Sequence, residues 1–155
     1  MSVAVHVAAA LVGFGATFAY PVIQLAGERG DRRALPFALG TILAISRFVA
    51  VPATIVVGAT GIYQVARGPY AFGDAWVGAG LGLYAAVMAA AILYLAPRYR
   101  RAEVAARRMV DAAPANGPVE VSPEYAAVTR GINVVGPLVS AAVLATVVLM
   151  VVKPG

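Results

Sequence analysis

Between Asp74 and Arg98, and again between Arg130 and Lys153, the chain runs for more than twenty residues without a charged side chain. Two further apolar stretches precede them, at residues 1–27 and 34–66. A helix needs about 20 apolar residues to cross a hydrocarbon core about 30 Å thick. Four such stretches in a chain of 155 residues leave little over for a water-soluble domain. The fold class that follows is all-α: a four-helix transmembrane bundle forming one integral membrane domain. The expected spans lie near residues 3–25, 37–66, 75–96 and 131–152, with a connector at 97–130.

Charged residues make up 12% of the chain, against about 25% in an ordinary soluble domain. There is no cysteine, which removes disulfides, thiolate metal sites and thiol nucleophiles. The net charge of +5 comes from cations in short loops beside apolar spans. There they set orientation and meet anionic lipid, so nucleic acid is not an expected partner. Eleven of the twelve basic residues are Arg, and Ala and Val abound. That bias suggests a GC-rich bacterial coding genome.

Counting cations by side sets the expected topology. The loop after the first span carries Arg29, Arg32 and Arg33; the connector carries Arg98, Arg100, Arg101, Arg107, Arg108 and Arg130. The other side has only Arg67 and Lys153. Basic loops stay in the cytoplasm, so both termini are expected outside. The first span lacks the basic flank of a signal peptide and is expected to remain uncleaved.

Residues 34–66 are too long for one perpendicular crossing, since 33 residues at 1.5 Å each reach about 50 Å. Either residues 35–43 lie partly in the interface, or the helix is tilted and bent at Pro52. Residues 98–112 have helix-forming composition with interspersed cations. They are expected to continue the third span as a basic helix on the cytoplasmic membrane surface, with Arg98, Arg100, Arg101, Arg107 and Arg108 meeting anionic headgroups. Ser122-Pro123-Glu124 has the form of a helix start: a capping hydroxyl, a proline at the first position and an acid in the first turn.

Helices in lipid associate through small residues and polar contacts. Ala9-xxx-Gly13, Gly58 with Gly61, Gly78-xxx-Gly82 and Gly136-xxx-Ser140 supply such faces, within the bundle or in a homo-oligomer. Tyr63, Tyr70, Phe72 and Trp76 form an aromatic belt at the outer end. Pro21, Pro52 and Pro137 each interrupt a span and free a carbonyl, which can line a small cavity.

Few residues in the spans carry chemistry. Arg47 is the one charge within an apolar stretch, where a cation costs about 2.5–3.5 kcal/mol at the bilayer centre. It either snorkels to the cytoplasmic boundary or needs a partner. Gln24 and Asn133 are the polar candidates to join it, binding helices together or holding an anionic group such as a lipid phosphate. His6, the only histidine, is the one side chain able to offer an axial ligand to haem or a transition metal. An interfacial histidine bonded to a neighbouring group is the plainer alternative. No acyl-transfer, phosphate-loop or zinc motif is present.

The segment His6-Val7-Ala8-Ala9-Ala10-Leu11-Val12-Gly13-Phe14-Gly15 resembles the opening of an uncharacterised bacterial family of predicted four-span integral membrane proteins. Arg47-Phe48-Val49-Ala50-Val51-Pro52 and Thr60-Gly61-Ile62-Tyr63 are similar to its second span. More remotely the chain resembles copper-resistance D-like and haem-associated small membrane proteins. That likeness implies His6, with Arg47, as a metal, haem or haem-propionate contact. Three functions follow: a non-enzymatic bundle acting by assembly, as a homo-oligomer or a subunit of a larger complex; a redox protein using His6; and a pore or carrier for a small anion or lipid centred on Arg47.

Overall fold

A computed structural model describes residues 2–152; the expectation for Lys153 lies outside them. The first span is one helix, α1 (Ser2–Arg29). The second is α2 (Leu35–Ile45) and α3 (Val51–Arg67), joined by a widened π turn at Ser46–Ala50. The third is α4 (Ala75–Ala89) and α5 (Ala96–Ala112), joined by a π turn at Ala90–Leu95. The fourth is α6 (Pro123–Val152). All four are long and apolar enough to cross a membrane.

Both π turns have the same cause. Pro52 and Pro97 follow them by two residues, each near the start of the next α-helical segment. A proline inside a helix lacks an N–H donor and collides with the carbonyl four residues back. Widening the preceding turn accommodates the ring without breaking the helix. The residue before each proline shows it: Val51 N–H reaches Ser46 O and Ala96 N–H reaches Ala91 O, five residues back instead of four. The bend expected at Pro52 is thus a widened turn. At the fourth helix the capping prediction holds, with Ser122 Oγ accepting from Tyr125 N–H at 3.2 Å.

The overlong second stretch is explained by α2. Its Leu35, Leu39 and Ile42 are at most 1% exposed, packed with Tyr99, Ala102, Ala105, Ala106 and Met109 of α5 and with Tyr125 and Ile132 of α6. Spacings of three and four residues place these side chains on single helix faces. α5 therefore continues the third span, but its apolar face is taken up inside the bundle. It is not left free to sink into a membrane surface as an interfacial helix would require. The second candidate span, Arg32–Arg67, includes α2 and α3 together.

The two basic loops are clamped together. Arg32 Nη1 donates to Val119 O at 3.0 Å, and Arg33 Nη2 donates to Gly117 O at 3.0 Å and to Pro114 O. Arg108 pairs with Glu124 at 3.2 Å, tying α5 to the start of α6. Arg107 pairs with Glu103 on its own helix. Part of the basic charge expected to face lipid is therefore spent on loop carbonyls and carboxylates.

Away from this end the spans part into two pairs. α1 lies on α3, and α4 lies on α6. The α1–α3 seam is close: a Cβ added to Gly13 would meet Ala53 Cβ and Thr54 Cγ2 at 3.1 Å. The two pairs touch through Phe14, Val57, Val87 and Val143. Tyr84 also crosses between them, its hydroxyl donating to Thr54 O at 2.9 Å over Gly58.

Candidate functional site

Between the packed basic end and the Phe14–Val143 cluster the helices flank a partly open cavity of about 1250 Å³. All four spans line it. Its walls are mostly apolar, including Phe14, Phe18, Val87, Met88, Val139 and Leu144. Segments from both π turns contribute, Ser46, Arg47 and Ala50 on one side and Ala91, Ile92 and Leu95 on the other. Pro21 and Pro137 line it too, inside α1 and α6. Each deprives the carbonyl four residues earlier, that of Thr17 and of Asn133, of its helix donor. Thr17 and Asn133 also lie on the cavity wall. Pro21 and Pro137 thus line a cavity as expected, though a large one, while Pro52 is not among its lining residues.

Its polar groups gather toward the basic end. Arg47, carried by the first π turn, and Arg100, one turn beyond Pro97, both line the cavity and are exposed. Among the described residues neither guanidinium has an ion pair or hydrogen bond; Arg47 touches only the ring of Phe48, 5.5 Å from its centroid. Arg98, by contrast, folds back over Tyr94, 3.4 Å from the ring centroid. Arg101 is exposed.

Opposite the arginines is a hydrogen-bonded cluster. Gln24, only 4% exposed, donates through Nε2 to Asn133 Oδ1 at 3.3 Å and to Glu28 Oε1 at 2.9 Å. The same carboxylate oxygen accepts from Tyr125 Oη at 2.8 Å. Of the trio expected from sequence, Gln24 and Asn133 are bonded and Arg47 shares their cavity without bonding either. Glu28 and Tyr125 were outside that expectation because hydropathy ended the first span at residue 25 and began the fourth at 131. The observed helices run through Arg29 and from Pro123. A four-residue Gln24–Glu28 spacing on a continuing helix was the available signal.

His6 lies elsewhere, near the opposite end. Its Nδ1 is 2.9 Å from Thr60 Oγ1, and its Cε1 would be 3.3 Å from a Cβ at Gly61. Thr60 Oγ1 also reaches Val56 O at 2.6 Å and Val57 O at 3.2 Å, and the imidazole tautomer sets which of His6 and Thr60 donates. The two sequence segments around His6 and Thr60-Gly61 thus form one interhelical contact. Among the described residues no group of three His, Asp or Glu side chains is placed to hold a metal.

Four helices long and apolar enough to cross a membrane define a polytopic membrane protein. The chain belongs to the family described as predicted integral membrane protein (DUF2269), whose model matches residues 2–154. No curated protein matches it, and no solved structure does.

Proposed function

We propose that this protein binds an acidic amphiphile, a lipid with an anionic head, inside the bundle. One observation carries the reading: an apolar cavity of about 1250 Å³ whose basic end holds two guanidiniums without protein counter-charges among the described residues. Small-molecule sites occupy about 300–1,000 Å³, so the space suits a chain-bearing ligand better than a bare anion. Both guanidiniums are exposed and accessible to a ligand, and a phosphate meets an Arg fork with two charge-assisted hydrogen bonds. Acyl chains would lie along Phe14, Phe18, Val87 and Leu144. The positive-inside bias puts the head near the cytoplasmic leaflet. His6 has a structural assignment in this reading, as the partner of Thr60.

Native mass spectrometry of the detergent-solubilised protein tests it. The wild type is expected to retain acidic lipid, and Arg47→Gln with Arg100→Gln to lose it while keeping its helical content. Inorganic phosphate is expected not to displace the lipid; displacement would point to a free-anion site. Equal retention by wild type and double variant would overturn the reading.

A second reading, assembly into a homo-oligomer, rests on α4. Its exposed positions are all small: Ala75, Gly78, Ala79, Gly82, Ala85, Ala86 and Ala89. α1 and α6 instead expose large side chains such as Leu11, Phe18, Leu138 and Leu144. A Cβ at Gly78 or Gly82 would meet nothing within 4 Å, so the face is unused within the chain, and small faces let helices approach closely in lipid. Gly82→Leu should convert any dimer seen by native mass to monomer; an unchanged mass distribution rejects this contact.

A further inference from the structure

A second hollow, about 540 Å³, lies at the basic end between α1 and α6. It shares Leu25, Glu28 and Asn133 with the central cavity. The polar cluster therefore stands on the wall common to two spaces. On the outer side the hollow carries Arg29 and Arg130, one from each helix, with no ion pair or hydrogen bond recorded for either guanidinium among the described residues. Along the same two helices, Phe18 and Leu144 are exposed while lining the central cavity. The α1–α6 seam thus has cations at the basic end and an apolar lip deeper in, the order of head and tail in a lipid leaflet.

The seam is also weakly closed. Where α1 meets α3, Gly13 lies close against Ala53 and the Thr54 backbone, and Gly61 against the His6 ring. Where α1 meets α6 near the basic end, closure depends on side-chain hydrogen bonds, Gln24 to Asn133 at 3.3 Å and Tyr125 to Glu28 at 2.8 Å. Interhelical hydrogen bonds of this kind in membrane proteins average only about 0.6 kcal/mol. A ligand head offering its own donors and acceptors could replace them at little cost.

We infer that the α1–α6 seam is the lateral doorway of the cavity: a phosphate-headed lipid docks with its head at Arg29 and Arg130 and slides between Phe18 and Leu144, parting the Gln24–Asn133 and Glu28–Tyr125 bonds. This rests on the lipid-binding reading above.

The absence of cysteine makes the test clean. Leu25→Cys with Val134→Cys places thiols on opposite walls of the smaller hollow, both at exposed positions. The full-length protein is reconstituted with fluorescent phosphatidylglycerol and joined with a short bis-methanethiosulfonate, each cysteine thiolate displacing methanesulfinate to form a reductively cleavable disulfide. Val51→Cys with Ile92→Cys, across the central cavity on the π-turn side, is the control. Linking the first pair is expected to slow lipid exchange at least tenfold, with recovery on reduction, and to leave already bound lipid in place; linking the control pair is expected to change exchange less than twofold. Unchanged exchange after complete linkage of the first pair, or slowing by the control alone, overturns the doorway while bound lipid still upholds the cavity reading. A wild type that holds no lipid removes both.

Discussion

The two halves of this bundle are built on different rules. At the basic end, Leu39, Ala102 and Ala106 are fully buried and α2, α5 and α6 interlock as they would in a soluble domain. In the other half the buried apolar cluster is smaller, Phe14, Val57, Val87 and Val143, with Ala50, Thr54, Val77 and Thr146 also buried, and beside it lies open space. The difference follows from the solvent. Water drives apolar faces together at about 25 cal/mol per Å², whereas lipid tails are as apolar as Leu and give no such push. A protein can therefore keep a large cavity in its lipid-embedded half only if another part holds the helices in place. Here the basic end does so.

That contrast can be broken by substitution. Leu39→Ala at the packed end should cost the most, about 2–5 kcal/mol, read as a lowered midpoint in thermal unfolding in detergent. A loss near zero would mean that the basic end is not the anchor. Gly58→Ala should follow at about 1–3 kcal/mol from overpacking, because the new methyl would lie 2.7 Å from Tyr84 Oη. Adding Tyr84→Phe should recover part of that loss by removing the hydroxyl, and no recovery would place the clash elsewhere.

Arg32→Gln should cost about 0.5–1.5 kcal/mol, the worth of a hydrogen bond, and should speed proteolysis of the connector at 113–121, since Val119 O loses its donor. Met88→Ala on the cavity wall should have the smallest effect, about 1 kcal/mol or less, because the space beside it is already open and little new cavity is created. Equal losses for Leu39→Ala and Met88→Ala would abolish the distinction between the halves.

Much of this architecture is legible in the residues. Uncharged runs mark the spans, Ser122-Pro123 marks the start of the fourth helix, and Gly13 and Gly61 mark the close seam. What stays hidden is hidden by uniformity. In residues 34–46 nearly every side chain is apolar, so the pattern of Leu35, Leu39 and Ile42 has no polar background to stand against. Hydropathy windows also end where charges begin, which leaves out Glu28 and Tyr125 although their helices continue. Arg47 was readable as an outlier, but its companion Arg100 was grouped with the surface cations because sequence cannot show that a neighbouring helix leaves a space beside it.

The widened turns have a consequence for anyone altering this chain. Each holds one residue more than the helix would otherwise need, and one residue corresponds to about 100° of rotation. The face that α2 presents is therefore out of phase with the face that α3 presents, and likewise for α4 and α5. Deleting a single residue within 46–50 would restore regular winding but set the Pro52 ring against the carbonyl four residues before it. In these two spans, a perfect helix would be the wrong shape.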